Sequence, residues 1–101
     1  MRMLVNVTIP TEEFNAAVRD GTASAKLADI LEQIKPEAVY FTEQNEQRGA
    51  LLVVEIDDPS SLPRIAEPWF LTFNARMEFR IAMTLEDVKK AGLEDLGKRW
   101  G

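Results

Sequence analysis

The sequence predicts an α+β fold whose elements follow the order β-α-β-β-α-β, with a C-terminal helical tail. An aliphatic stretch over residues 48–57, opened by Gly49 and closed by Asp58 and Pro59, predicts a strand covered on both faces. Alternating polarity predicts further strands, and two long stretches with helical apolar spacing predict helices. Right-handed crossovers then give a four-stranded antiparallel sheet of order 4-1-3-2, with both long helices on one face.

The first part of the chain predicts a strand followed by an interrupted helix. Residues 1–9 alternate in polarity, and Thr11 is the expected N-cap of the helix that follows. The apolar stripes of the next two helical segments differ in phase, which predicts a break near residues 19–22. Gly21 permits that break, and Thr22 or Ser24 is the expected cap of the second segment.

The remaining elements are read from alternation, helical spacing and capping residues. Residues 38–42 predict a second strand, and residues 43–47 a polar hairpin connection into the strand over 48–57. A second long helix follows, which Pro68 should kink. Residues 75–83 predict the last strand, and a capping box opens a short helix that precedes a partly helical tail over residues 93–101.

Composition limits the classes of function. At 101 residues, the expectation is a single domain over 1–101. A net charge of −5 argues against binding to nucleic acid or anionic membranes. There is no cysteine and no histidine, so thiol chemistry and the usual neutral-pH base are excluded. No segment predicts a membrane span or a signal peptide, and a cytoplasmic location is expected.

RNA-recognition domains share this element order, but this sequence lacks the aromatic residues that stack on RNA bases in such domains. Arg48-Gly49 matches the start of the relevant third-strand motif. Ala50 and Leu52 occupy the positions where aromatic side chains would stack on bases, and the first strand contains no aromatic residue. RNA binding is therefore not expected.

The two faces of the predicted sheet differ in character, and one of them predicts an interface. The more apolar face should carry the helices. The other combines an apolar centre with a polar rim, at Leu4, Leu51, Val53, Asn6, Thr8, Tyr40, Thr42, Glu55, Arg76, Glu78 and Arg80. This composition favours a homodimer formed through the open sheet face. The alternative is a partly solvated face covered by the tail.

The element order and length resemble the dimeric α+β barrel superfamily, whose ferredoxin-like chains pair through their open sheet faces. Muconolactone isomerase-like and antibiotic-biosynthesis monooxygenase-like proteins belong to it. The resemblance covers nearly the whole chain but carries over no catalytic residue, because many members use histidine and this chain has none. The segments 18–22 and 66–70 look like signatures of a branch to which no reaction is attached.

The predicted helix break supplies the first candidate site residues. Arg19, Asp20 and Thr22 lie where a charged interruption would open the gap between helix and sheet. Arg19 would bind a carboxylate there, and the new helix end, with Asp20 and Thr22, would contact a ligand. The alternative is a solvated kink that contains an Arg19–Asp20 pair.

A second group of candidates surrounds Pro68. Glu67 is the predicted carboxylate base, with its pKa raised if it is buried, and Trp69 and Phe73 would wall the pocket. The alternative places both aromatic side chains in the core and Glu67 in solvent. Tyr40 would offer its hydroxyl to a ligand or, as we favour, across a dimer interface.

The other charged residues predict surface features. Arg76, Glu78 and Arg80 suggest a cross-strand ionic ladder. Glu43, Glu46 and Arg48 suggest hairpin surface. The spacing of the carboxylates predicts no metal site, and no cofactor is expected.

The leading hypothesis is a small homodimer that binds a small, partly apolar molecule between sheet and helices, with an anionic group as one option. If it is an enzyme, cofactor-free isomerase or oxygenase chemistry is the expectation, with Glu67 as the base for proton transfer and Arg19 binding a substrate carboxylate. The alternative is a non-catalytic dimer that senses a ligand or mediates protein interactions.

Overall fold

A computed structural model describes residues 1–101 and contains four strands and five helices. The strands are β1 (Arg2–Ile9), β2 (Ala38–Gln44), β3 (Gln47–Glu55) and β4 (Arg76–Ile81). The helices are α1 (Thr11–Asp20), α2 (Ala23–Ile34), α3 (Ser61–Phe73), α4 (Leu85–Lys90) and α5 (Leu93–Trp100). The predicted break is confirmed, because the first helical region is two helices.

The sheet has the predicted topology. Its order is β2-β3-β1-β4, which is the expected 4-1-3-2 order counted from the other edge, and every pairing is antiparallel. β3 lies in the interior of the sheet, between β1 and β2. The helices cover one of its faces, while Leu51 and Val53 on the other face are half-buried, so the predicted cover of both faces is incomplete within one chain.

The core lies between the sheet and the long helices, on the face that the sequence predicts. Directly opposed residues such as Val5 and Leu52 share this face and are fully buried. The helices contribute the largest buried side chains, Trp69 and Phe73. Every even-numbered residue of β3 from Ala50 to Val54 is buried, as expected for strict alternation in a strand.

The predicted hairpin connection is too long. Only Asn45 and Glu46 form the turn, both with positive φ, while the predicted connection over 43–47 otherwise belongs to β2 and β3. A two-residue turn with positive φ at both positions matches the right-handed twist of the paired strands. The polar composition of these strand ends concealed them, and Arg48 lies inside β3, as in the predicted strand over 48–57.

A close approach of two strands requires glycine at position 49. A Cβ atom added to Gly49 would lie 2.5 Å from the carbonyl oxygen of Val7 and 3.1 Å from Cγ of Gln44. The first contact is with backbone of the neighbouring strand, so it cannot be relieved by a rotamer change. Gly49 therefore allows the regular pairing of β3 with β1 next to Arg48.

The C-terminal arm, defined as residues 82–101, contacts the rest of the chain through its first residues, where Ala82 donates a backbone hydrogen bond to Arg2, and then extends away from the core. The molecule measures 60 × 28 × 18 Å, and its radius of gyration is 17.1 Å. A compact domain of this length has a radius of gyration of about 13 Å. Neither α4 nor α5 contributes a residue to the core, and Tyr40 on the open sheet face stays 68% exposed, so the tail leaves this face largely uncovered.

Local signals at the helix ends are confirmed in part. The capping box is present at α4, where Thr84 and Asp87 exchange backbone-to-side-chain hydrogen bonds. At α1 the cap prediction is wrong: Pro10 occupies the N-cap position and Thr11 is the first helical residue. The fixed φ of proline prepares the chain for helix entry without a side-chain cap. None of the helices has the length and apolar composition needed to cross a bilayer.

Candidate functional site

A mostly apolar cavity opens between the first two helices and the β2–β3 edge of the sheet. Its volume is about 420 Å³. We call it the Arg48 cavity, and it is lined by Ile9, Phe14, Leu27, Phe41, Thr42, Arg48 and Gly49. It exists because α1 and α2 leave the outer strand partly uncovered: Phe41 faces the helices and is nevertheless 53% exposed.

Arg48 is the single charged residue of this lining. The register places it directly opposite the buried Ile9, which fixes its side chain on the helix face. The guanidinium carbon lies 4.9 Å from the centre of the Phe14 ring, and Nη1 donates a hydrogen bond of 2.8 Å to Oδ1 of Asn15. These two contacts hold an exposed cation at the mouth of an apolar cavity.

The guanidinium of Arg48 has no carboxylate partner. Glu43 lies opposite it on β2, yet no ion pair joins the two residues. One N–H is used by Asn15, and a guanidinium carries five N–H donors in a planar fork. The remaining donors are free to bind a carboxylate with two parallel hydrogen bonds.

Aromatic packing connects the cavity wall to the core. The Phe14 ring lies 5.3 Å from the ring of Phe73, with 40° between their planes. Phe73 is 1% exposed, so the predicted site residue supports the wall from behind and does not line the cavity. Arg48, Phe14 and Phe73 thus form one continuous stack from solvent to core.

A second cavity of about 280 Å³ adjoins the first and reaches the predicted helix break. The two share Phe14 and Leu27, and Gly21 lies in the lining of the second. The break between α1 and α2 therefore borders a cavity between these two helices, and not the gap between helix and sheet that the sequence predicts there. The phase difference between the two helical stripes was the signal for the break.

The side chains at this break have local partners. The carboxylate of Asp20 accepts hydrogen bonds from the backbone N–H of Thr22 at 2.9 Å and from its hydroxyl at 2.5 Å. Thr22 occupies the N-cap position of α2, as expected, but its side chain makes no capping hydrogen bond, because its hydroxyl donates backwards to Asp20. Arg19 is exposed, makes no ion pair with Asp20 and lines neither cavity.

The turn in which Asp20 binds Thr22, and a similar turn in which Asp58 binds Ser60, predict how stability depends on pH. The hydroxyl and the backbone N–H of Thr22 lower the pKa of Asp20, and those of Ser60 do the same for Asp58. A carboxyl with a depressed folded-state pKa stabilises the fold above its unfolded value of 3.8, and this stabilisation is lost as pH falls through the folded-state pKa. The free energy of unfolding in urea should therefore decrease more steeply below about pH 4 for the native chain than for Asp20→Asn/Asp58→Asn.

A matched control for this pH effect is Asp29→Asn/Asp95→Asn. It removes the same number of charges from exposed positions outside such turns. The control should keep the steep decrease of the native chain. Equal pH profiles for the two double variants would contradict the conclusion that Asp20 and Asp58 cause the loss of stability at low pH.

The candidates around Pro68 separate into core and surface. Trp69 is fully buried within α3, and its indole N–H has no hydrogen-bond partner. Glu67 is exposed on the same helix and lines none of the cavities. Neither Glu67 nor Arg19 therefore lines the Arg48 cavity or the adjoining one. Their catalytic role stays a prediction.

Tyr40 lies on the opposite face of the sheet from the Arg48 cavity. It pairs with Leu51, whose side chain points to the open face, and it is 68% exposed. On the same face Glu78 contacts Arg80 at 3.9 Å along β4 and accepts a hydrogen bond of 3.3 Å from Asn6 of β1. The expected cross-strand ladder is thus a pair within one strand plus one cross-strand hydrogen bond, and Arg76 takes no part in an ion pair.

The main residue that sequence reasoning missed is Arg48. Alternation already assigns Ala50, Leu52 and Val54 to the helix face, and one further step back assigns position 48 to it. The available signal was that even-numbered residues of this strand point to the helix face. This signal was overlooked because Arg48 was expected to be a surface residue of the hairpin.

Comparisons with known proteins support the fold. No family model matches the chain, and no curated protein matches it. Among solved structures, it is similar to 5-chloro-2-hydroxyhydroquinone dehydrochlorinase from Burkholderia phenoliruptrix in complex with 2,5-dihydroxybenzoquinone. That likeness has a TM-score of 0.54 at 18% identity and covers 86% of this chain and 99% of the other. Together with the sheet order, it identifies the architecture as the predicted ferredoxin-like α+β fold.

Proposed function

We propose that the protein binds a small, planar, anionic aromatic molecule in the Arg48 cavity. The observation that carries the proposal is an unpaired guanidinium at the mouth of an apolar cavity, stacked on one aromatic ring and oriented by one amide. A carboxylate or an ionised phenol would complete the hydrogen bonds of Arg48. The ring of the same molecule would pack between Phe14 and Phe41.

The size and polarity of the cavity support a compact ligand. A volume of about 420 Å³ suits a molecule with one ring and a few substituents. Apolar side chains form the walls, and charge is confined to Arg48 at one end. The solved neighbour holds 2,5-dihydroxybenzoquinone, a planar acidic ring, and this supports the same ligand class here.

Ligand sensing is favoured over catalysis by the composition of the lining. It contains no carboxylate, and the side chain of Thr42, the one hydroxyl residue of the lining, lies on the opposite face of the sheet. Glu67 would have to move into the cavity to act as a base, because it is exposed elsewhere on α3. Cofactor-free isomerisation or oxygenation remains the second candidate, supported by the fold of the neighbour.

The test is a calorimetric titration with benzoate and with 2,5-dihydroxybenzoquinone, using the uncharged benzamide for comparison. The acids should bind more tightly than the amide. Arg48→Gln should weaken binding of the acids by about ten- to a hundredfold, because a hydrogen bond to a charged group contributes about 1.5–3 kcal/mol. Its effect on benzamide should be small.

The matched control is Arg76→Gln, which removes the same charge from the open face of the sheet. It should leave binding unchanged. Equal loss in both variants would assign the effect to net charge, and failure of both acids to bind the native chain would refute the proposal. Turnover of a bound acid that is abolished by Glu67→Gln would favour the enzymatic candidate over sensing.

The proposed assembly is a homodimer formed through the open sheet face. Leu4, Leu51 and Val53 are half-buried at its centre, and Tyr40 is exposed on the outer strand. An apolar centre with a polar rim is the usual composition of an interface. The arm leaves this face free for a second copy of the chain.

A further inference from the structure

The C-terminal arm carries an apolar stripe with nothing to bury it. Leu93, Leu96 and Trp100 follow helical spacing along one face of α5, and all three are exposed, Trp100 by 77%. Helices of 6 and 8 residues such as α4 and α5 gain little stability from local hydrogen bonds alone. The arm is therefore built to be stabilised by packing against another surface.

A matching surface lies at the other end of the core from the Arg48 cavity. We call it the Leu62 cavity. Its volume is about 320 Å³, and its apolar walls include Met3, Ile56 and Leu62. Asp57 and Asp58 lie in its lining, and so does Met1, whose N-terminal ammonium is already paired with Glu55, so the unpaired charge of the lining is acidic. No residue of the C-terminal arm lines it, although Ile81, the residue before the arm, does.

We propose that the Leu62 cavity receives the α5 helix of a second copy of this chain, with Trp100 as the inserted side chain. An indole fits within such a cavity, and a buried aromatic side chain removes about 150–250 Å² from solvent. The exchange is reciprocal in a twofold dimer, so each chain donates one arm and receives one. This contact is separate from the ligand site at Arg48 and does not depend on it.

Charge complementarity selects this occupant. Lys98 and Arg99 immediately precede Trp100, and the Arg99 guanidinium lies 5.0 Å from the centre of the Trp100 ring. An inserted indole would bring these cations to the acidic residues of the cavity lining. Asp57 is exposed and forms no ion pair, so its carboxylate is free to meet them. Asp58 uses its carboxylate for the turn with Ser60, and Arg64 is the cation already near it.

The arm of the same chain is the wrong occupant on geometric grounds. It leaves the cavity directly after Ile81, and its stripe is exposed along a molecule 60 Å long. Returning α5 to the cavity of its own chain would require the arm to fold back on itself. A second copy meets the cavity without that rearrangement.

Disulfide trapping tests the proposal, because the chain has no cysteine of its own. Pro59→Cys places a thiol in the lining of the cavity, and Gly97→Cys places one on α5, where an added Cβ meets no atom within 4 Å. Under mild oxidation, a chain with both substitutions should form a two-chain disulfide product. The control pair is Glu43→Cys with Gly97→Cys, which should give about tenfold less product because no contact raises its effective concentration.

Three further variants test the roles of Trp100, Asp57 and Arg99. Trp100→Ala should reduce trapping of the first pair to the level of the control pair. Asp57→Lys should also reduce it, and Arg99→Glu in the same chain should restore it. A disulfide within one chain, equal trapping in both cysteine pairs, or failure of the charge reversal to restore trapping would overturn the proposal.

Discussion

Replacing Trp69 by alanine is expected to lower the free energy of unfolding by about 3–5 kcal/mol, the range for large aromatic residues removed from a core. Trp69 is fully buried and is the largest side chain in the core. Its loss would leave a cavity that the sheet and the neighbouring helices cannot close without shifting. Equilibrium unfolding in urea, followed by far-ultraviolet circular dichroism, measures the effect without relying on tryptophan fluorescence.

Trp69→Phe is the informative control. It removes less volume, and it also removes an indole N–H that has no hydrogen-bond partner. An unsatisfied buried donor costs about 1–3 kcal/mol, which offsets much of the lost packing. We therefore expect Trp69→Phe to cost far less than Trp69→Ala. Similar losses for both variants would indicate that the indole N–H has a stabilising partner, as expected if Trp69 were part of a ligand site.

Replacing Leu51 by lysine should weaken the proposed sheet-face dimer by at least about a hundredfold, the equivalent of about 3 kcal/mol. Leu51 lies at the centre of the open face, opposite Asn6 on one strand and Tyr40 on the other. A lysine there would bury an unpaired charge in each half of a twofold interface. Sedimentation equilibrium measures the dissociation constant, best in a Trp100→Ala background so that only the sheet contact is tested.

Thr42→Lys provides the matched control for the dimer. It adds the same charge to the rim of the same face, at an exposed position on the outer strand. Its dissociation constant should change little. A native chain that stays monomeric at high concentration would contradict the homodimer, and so would equal weakening by Leu51→Lys and Thr42→Lys. Unchanged far-ultraviolet circular dichroism would show that each variant is folded.

Much of the fold was predictable from local patterns. Alternation identified the strands, and the sheet order followed because two crossovers and one hairpin leave few arrangements. The phase difference on either side of Gly21 predicted the helix break, which the structure places between Asp20 and Ala23. These signals work because side-chain periodicity records which face of an element is buried.

Local capping and turn signals were less reliable. Thr11 and Thr22 have the composition of caps, yet Pro10 opens the first helix and Asp20 binds Thr22. Glu43 and Gln47 looked like loop residues but lie in paired strands. Polar residues at the projecting end of a hairpin bury little surface, so strand pairing leaves no apolar alternation there to detect.

The sequence by itself determined the element order, the sheet topology and the face that carries the core, since each depends on periodic burial within short segments. Only the tertiary structure decided which residues meet across segments. It placed Arg48 over the Phe14 ring, and it placed Phe41 beside an open cavity. It also put Trp69 in the core and left Glu67 and Arg19 in solvent. The physical reason is that a binding site depends on distances between side chains of different elements, and these follow from packing and strand register, which no single segment encodes.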